Sequence, residues 1–265
     1  MLPIRLGAVS YLNTRPLVYG LDRSERFSLR FDVPAQCAAL LHAGGVDLGL
    51  IPSIEYTGHD YRIVPGVSIA SDGPVASVAL FSKVPTERIR SIALDTSSRT
   101  SQALLRVLCA RRFDIDPRLA SVPPDLPRML AECDAALVIG DNALFADHDS
   151  LGLDKIDLGE EWAGMTGLPF VYAFWAGRPA AVGPEDIAAL QQARDIGLGA
   201  TAEIGRASYP DSPQKAARAD RYLREDVKYA LGERELAGLT RFYELASEVG
   251  VIPQAETPRF YGSGF

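Results

Sequence analysis

A cluster of polar side chains near the amino terminus offers hydrogen-bonding chemistry where a strand is expected to end. The cluster follows the apolar run Ile4–Val9 and precedes Pro16, whose fixed φ suits the first turn of a helix. In an open α/β sheet, ligands bind outside the carboxyl ends of the strands. Ser and Asn also favour turns and caps for local reasons, so these residues alone leave a ligand site and an ordinary turn equally open. The members of the cluster are Ser10, Tyr11, Asn13, Thr14 and Arg15.

Further hydroxyl groups follow other predicted strands. Ser53 comes directly after the third apolar run, and Ser77 lies in a predicted strand after a Gly-Pro turn. Ser98, Thr100 and Ser101 stand where a helix is expected to begin. Unpaired backbone N–H groups and hydroxyls at a helix start can hold a carboxylate, although Ser and Thr also cap helices without a ligand.

Acidic, histidine and cysteine residues give fewer signals. Asp141 follows a predicted strand, where it suits either a protein base or the N-cap of a short helix. The three histidines are isolated, and their spacing does not match a metal motif, so we predict no metal. The three cysteines are widely spaced in apolar surroundings, which favours buried thiols over disulfides.

Composition excludes several classes of partner. The chain has 265 residues, 47% of them hydrophobic, which is enough for one large domain or two small ones. A net charge of −7 disfavours binding to nucleic acid, but local donors can still bind a small anion. No apolar run is long enough to span a membrane and no leader pattern is visible, so we expect a soluble, cytoplasmic protein that does not bind membranes.

The order of predicted elements indicates an α/β fold of two lobes. Short strands alternate with helices, which predicts parallel sheets, and a second strand-helix series begins near Ile89. The helices predicted at 184–202, 214–230 and 233–249 need a sheet to cover and are expected to return to the first one. We therefore predict one lobe from residues 1–88 and 178–265, a second from 89–177, and a ligand cleft between them. Crossovers near Arg88 and Gly177 would form the hinge.

Several segments together resemble the chorismate dehydratases of the futalosine route to menaquinone. The resemblance covers about residues 4 to 250, and it is specific as a set although no single motif would suffice. It implies a periplasmic-binding-protein-like fold of type II, used as a cytoplasmic enzyme without metal or organic cofactor. It also implies that the partner is a small dicarboxylate, chorismate, which loses water to give 3-[(1-carboxyvinyl)oxy]benzoate. The segments are Ser10-Tyr-Leu-Asn-Thr-Arg-Pro16, Ile51-Pro-Ser-Ile-Glu-Tyr56, Gly73-Pro-Val-Ala-Ser-Val78, Ser98-Arg-Thr-Ser101, Ile139-Gly-Asp141, Gly159-Glu-Glu-Trp162 and Gly167-Leu-Pro-Phe170.

In this interpretation Asn13 is the catalytic residue, because a carboxamide can hydrogen-bond both the leaving hydroxyl and a neighbouring carboxylate. The general base is either the substrate's own enolpyruvyl carboxylate or Asp141. The sister family, the dihydroxynaphthoate synthases, is expected to use a histidine base, and His148 keeps that alternative open. A carboxylate-binding protein without catalysis is a third alternative, which the missing leader disfavours. The predicted substrate contacts are Ser10, Ser53, Ser77, Ser98, Thr100, Ser101 and Asp141.

Overall fold

Two five-stranded sheets form the frame of the protein. The structure is a computed structural model that describes residues 2–262. Every strand ladder within it belongs to one sheet or the other, so the two lobes predicted from the sequence are present. In chain order, the strands are β1 (Ile4–Val9), β2 (Phe27–Asp32), β3 (Leu48–Pro52), β4 (Arg62–Ser71), β5 (Val78–Ser82), β6 (Ser91–Asp95), β7 (Arg118–Val122), β8 (Ala135–Ile139), β9 (Asp154–Asp157) and β10 (Phe170–Gly177).

The two sheets share one arrangement. The first has the order β2-β1-β3-β10-β4, and the second has the order β7-β6-β8-β5-β9. In each, three strands run parallel, while the fourth is antiparallel to both of its neighbours. The expectation of parallel sheets is therefore correct for three strands of each sheet and wrong for the rest. A parallel neighbour needs a helical crossover that returns the chain to the same edge, whereas β5 and β10 each enter directly from the other sheet.

Strand membership differs from the predicted lobe boundaries. β5 was placed with residues 1–88 but pairs with β8 and β9 in the second sheet. β10 was placed with residues 89–177 but pairs with β3 and β4 in the first. The chain thus changes sheets within 72–77 and 158–169, rather than near Arg88 and Gly177. An apolar strand carries no local sign of the sheet in which it pairs. Residues 1 and 263–265 of the predicted first lobe lie outside the described residues.

Helices cover both sheets and continue past the last strand. No helix in the described residues 2–262 is both long and apolar enough to cross a membrane. The helices are α1 (Pro34–His42), α2 (Arg99–Leu108), α3 (Leu126–Glu132), α4 (Gly140–Leu144), α5 (Leu158–Thr166), α6 (Pro184–Gly199), α7 (Thr201–Ser208), α8 (Pro213–Arg221) and α9 (Glu233–Glu248).

The helices after β10 join the two lobes. α6 packs on β4 and on the 3-10 helix Leu12–Val18, as the predicted return to the first sheet requires. α9 packs on β10 of the first sheet and also on α2 of the second lobe. The helix predicted over 214–230 ends early, because α8 passes into the π-helical turn Tyr222–Asp226 and the chain then pairs with β4 through Lys228.

A buried aromatic cluster fixes α5 and α9 against β10. The rings of Trp162, Phe170 and Phe242 meet edge to face, with centroids 4.8 to 6.1 Å apart. Such pairs contribute about 0.5–1.5 kcal/mol each beyond the area that they bury. The cluster therefore ties the segment that leaves the second sheet to the strand that enters the first.

The carboxylate of Asp157 connects both crossovers. At the end of β9 it accepts hydrogen bonds from the backbone N–H groups of Val75 and Ala76, in the first crossover. It also caps α5, in the second crossover, by accepting from the N–H groups of Gly159 and Glu160. Ala76 has a φ of 62°, a conformation that costs free energy for a residue with a Cβ atom. Four N–H groups on one carboxylate help to hold this turn.

Candidate active site

A cavity lies between the lobes at the carboxyl ends of β1, β3 and β8. It encloses about 500 Å³ of empty space, including its open mouth. None of the residues that line it in the described chain is Asp, Glu, His, Lys or Arg, so its polar groups are neutral hydroxyls and an amide. Apolar side chains, among them Val9, Ile69 and Val78, provide the rest of the wall. The polar lining residues are Tyr11, Asn13, Ser77, Ser98, Ser101 and Tyr172.

Ser98 and Ser101 bring the start of α2 to the cavity. Ser98 is the N-cap of this helix, and its Oγ accepts a hydrogen bond from the Ser101 N–H at 3.4 Å. The two hydroxyls are 3.0 Å apart, and both side chains are buried. Unpaired N–H groups and the positive end of the helix dipole favour an anion here. Capping and cavity lining, which the sequence presented as alternatives, are combined in these two residues.

Thr100 and Ser53 lie together behind the cavity wall. The Thr100 Oγ1 accepts from the Ile54 N–H at 3.1 Å and lies 3.4 Å from the Ser53 Oγ. Ser53 donates to the carbonyl oxygen of Val171 at 2.8 Å. The bond between Thr100 and Ile54 joins the two lobes, whereas the bond from Ser53 to Val171 lies within the first lobe. Neither residue lines the cavity, and substrate contact by either stays a prediction.

Asp141 and Ser10 also lie outside the cavity lining. The Asp141 carboxylate accepts a hydrogen bond from the Leu12 N–H at 3.0 Å, across the junction between the lobes. Burial raises the pKa of this carboxyl above its ordinary value, and the Leu12 N–H partly offsets the effect. Ser10 is exposed at the end of β1. Contact of either residue with a substrate stays a prediction.

Asn13 and Ser77 face the cavity from the 3-10 helix after β1 and from the first crossover. The Asn13 Oδ1 is buried and has no hydrogen-bond partner among the described residues. The Ser77 Oγ lies 2.7 Å from the hydroxyl of Tyr222, a residue that is buried in the π-helical turn. Burial raises the pKa of Tyr222 above its ordinary value, and the nearby Ser77 and Asn13 side chains partly offset this effect. The sequence predicted Asn13 and Ser77 but missed Tyr222, because a lone tyrosine in a helical pattern suggests only core.

Tyr11 begins a second polar chain that the sequence did not reveal. Its hydroxyl lies 2.9 Å from the Ser97 Oγ, which donates to the buried Asp95 carboxylate at 2.5 Å. Burial raises the pKa of Tyr11 to about 12. The Tyr11 ring packs on Gly140, where a Cβ atom would lie 2.9 Å from the ring and φ is 61°. Glycine is therefore required at this contact between the lobes.

Most aromatic residues around β10, and the histidine candidate His148, lie outside the cavity lining. Of the aromatic residues in the strand β10 and its approach, Tyr172 lines the cavity, and its hydroxyl lies 3.1 Å from the Ser71 Oγ. His148 lies near Phe81, with ring centroids 6.0 Å apart, and does not line the cavity. Glu55 pairs with Arg99 at 2.8 Å and with His42 at 3.0 Å. Among the described residues, no group of three or more His, Cys, Asp and Glu side chains could hold a metal ion.

Comparisons with known proteins identify the family and the fold. A profile of the family described as menaquinone biosynthesis matches residues 4–248. A chorismate dehydratase of Thermus thermophilus is 33% identical over 262 residues, which cover 92% of this chain and 95% of that protein.

Solved structures with low sequence identity show the fold alone. A protein of Archaeoglobus fulgidus has a TM-score of 0.75 at 19% identity, covering 94% of this chain and 98% of that one. A Candida albicans protein, described as having the generic periplasmic binding protein fold, has a TM-score of 0.67 at 10% identity and covers 100% of this chain and 99% of that one. The predicted fold class is thus confirmed. With the family match over nearly its whole length, the chain belongs to the menaquinone biosynthesis family.

Proposed function

We propose that the protein is a cytoplasmic chorismate dehydratase, which converts chorismate to 3-[(1-carboxyvinyl)oxy]benzoate and water. The observation that carries the proposal is the cavity between the lobes, where Asn13 and Ser77 face the hydroxyls at the start of α2. A helix start suits a carboxylate, and a neutral amide suits a hydroxyl that leaves. The 33% identical chorismate dehydratase supports the choice of substrate.

The carboxylate and the ring of the substrate would contact different parts of the cavity wall. One substrate carboxylate accepts from Ser98, Ser101 and the first N–H groups of α2, where each charge-assisted bond contributes about 1.5–3 kcal/mol. The ring lies against Val9, Ile69 and Val78. Because no cationic side chain of the described part of the chain lines the cavity, dipoles and hydroxyls supply the attraction for the substrate's charge.

The chemical step removes a proton from the ether-bearing carbon and the hydroxyl from its neighbour. Since no carboxylate or imidazole among residues 2–262 lines the cavity, the enolpyruvyl carboxylate is the base within reach. It takes the proton and returns it to the departing hydroxyl, so that water leaves and the electron pair of the broken C–H bond completes the aromatic ring. Asn13 orients the leaving hydroxyl. The Asp141 carboxylate instead accepts a hydrogen bond from the Leu12 N–H.

Incubation of the purified protein with chorismate tests the proposal. Mass spectrometry is expected to show conversion to a product that is lighter by one water. A rise in melting temperature without any product would indicate a carboxylate-binding protein, and no response to chorismate would favour the sister enzyme. Either result would overturn the assignment.

A variant of Asn13 tests the mechanism. Asn13→Ala is expected to lower kcat about 100-fold or more, with a change in KM of less than about 3-fold, because the amide acts on the group that changes charge. Steady-state kinetics with chorismate provide the measurement. Asn142→Ala, an exposed change in α4, is the matched control and is expected to keep wild-type constants. A near-normal kcat in the Asn13 variant would refute the role.

A further inference from the structure

We propose that Tyr222 is a positioning residue that sets the hydrogen-bond directions of Ser77 and Asn13 at the cavity wall; the inference rests on the proposed function. Tyr222 begins the π-helical turn Tyr222–Asp226, which follows α8. Its side chain is buried, and its hydroxyl lies 2.7 Å from the Ser77 Oγ. π-helical turns are uncommon and occur often at functional sites.

The contact between Tyr222 and Ser77 allows either hydroxyl to donate, and the burial of Tyr222 favours Tyr222 as the donor. A buried O–H group needs an acceptor, and the acceptor that the structure offers to Tyr222 is the Ser77 Oγ. A hydroxyl has one proton, and Tyr222 donates that proton to Ser77. The proton of Ser77 is then free to point into the cavity that Ser77 lines. Ser77 therefore meets the ligand as a donor.

The same hydroxyl lies near the carboxamide of Asn13, which lines the cavity together with Ser77. The Asn13 Oδ1 has no partner among the described residues. Because the proton of Tyr222 is directed to Ser77, the Tyr222 oxygen can only accept, so the part of the carboxamide that it favours on its side is the amide nitrogen. The unpaired Oδ1 remains as an acceptor on a residue that lines the cavity.

The wall thus offers one acceptor, at Asn13, beside one donor, at Ser77. This pair of an acceptor and a donor fits a ligand whose hydroxyl group donates to Asn13 and whose ether or carboxylate oxygen accepts from Ser77. Loss of the Tyr222 hydroxyl would free Ser77 and Asn13 to bond each other or to turn away. The bound ligand would still fill the cavity, but the amide would no longer be held toward the leaving hydroxyl.

Replacing Tyr222 by Phe removes the hydroxyl and keeps the ring. For Tyr222→Phe we expect kcat with chorismate to fall about tenfold, and KM to change by less than about twofold, because the loss affects orientation more than binding. Tyr229→Phe is the matched control: Tyr229 is also buried, but its hydroxyl has no hydrogen-bond partner among residues 2–262. This control is expected to keep wild-type kcat and KM.

A double-variant cycle separates positioning from a general structural effect. In the Ser77→Ala background, Tyr222→Phe is expected to lower kcat by less than about threefold, since one of the two side chains through which it acts is gone. Equal effects in both backgrounds, or a wild-type kcat for Tyr222→Phe, would overturn the inference while leaving the proposed function intact. A wild-type protein that does not dehydrate chorismate would overturn both.

Discussion

Ser101 and Thr100 are adjacent in sequence but differ in what they contact. Ser101 lines the cavity, whereas Thr100 accepts the Ile54 N–H at the lobe junction. Ser101→Ala is expected to raise KM for chorismate about tenfold, because a hydroxyl that contacts a carboxylate is lost. Thr100→Ala leaves a buried N–H without its acceptor and is expected to lower the free energy of unfolding by about 1–3 kcal/mol. Kinetics and urea unfolding of both variants measure this contrast, and a reversed pattern would contradict it.

Asp141 gives the stability of the protein a dependence on pH. Its pKa in the folded protein is raised above the ordinary value of 3.8, so folding favours the protonated form. The stability gained from that form is present below the unfolded pKa and is lost as pH rises through the folded pKa.

Asp141→Asn removes this dependence and keeps an acceptor for the Leu12 N–H. Relative to the wild type, its free energy of unfolding is therefore expected to rise between pH 4 and pH 7. Urea unfolding at several pH values checks the trend, with exposed Asp154→Asn as the control. A difference between wild type and Asp141→Asn that does not change with pH would exclude a raised pKa at Asp141.

Part of the site was predictable from residue type and position. Asn13, Ser98 and Ser101 follow strand ends, Ser77 directly precedes the antiparallel strand β5, and sheet topology makes such residues neighbours. Thr100 and Ser101 lie on different sides of α2. This difference was not predictable, because the first residue of a helix cannot be fixed from sequence alone. Tyr222 reaches the site through tertiary packing, and the residues next to it in the sequence do not predict that position.

Among the elements, Asp157 at the end of β9 holds both crossovers. Asp157→Ala removes the acceptor of four backbone N–H groups and is expected to lower the free energy of unfolding by about 2–3 kcal/mol. Asp154→Ala, at the exposed start of the same strand, is the control and is expected to change stability by less than about 0.5 kcal/mol. Guanidinium unfolding compares the two variants, and equal midpoints would show that the crossovers do not depend on this carboxylate.

Strand prediction succeeded for the buried strands and failed for the two edge strands of the second sheet. β1, β3 and β8 are apolar runs that the sequence located within one or two residues. β7 and β9 are edge strands of the second sheet, and they went undetected. The segment Asp154–Asp157 has one apolar residue in four, so it lacks the alternation that marks a half-buried strand. Its pairing with β5 is set by backbone geometry and by Asp157, not by hydrophobic pattern.

For the whole molecule, the contacts between lobes predict cooperative unfolding. α9 packs on strands and helices of both lobes, and hydrogen bonds from Leu12 and Ile54 cross the junction. Scanning calorimetry is therefore expected to show one transition, with calorimetric and van't Hoff enthalpies equal. Chorismate at about 100 times its Kd should raise the free energy of unfolding by about 2.7 kcal/mol. The single transition is then expected to move to a higher temperature. Two separate transitions would mean that the lobes unfold independently.

The exchange of β5 and β10 between the sheets has a consequence for synthesis on the ribosome. β4 has β10 as its ladder partner, and β10 is translated long after β4. β5 likewise waits for β8 and β9. A nascent chain that ends before Phe170 therefore carries an incomplete first sheet with an unpaired strand, however long it pauses. Because such non-local pairing is slow and leaves edges open to aggregation, the first lobe matures after the second, although its residues emerge first.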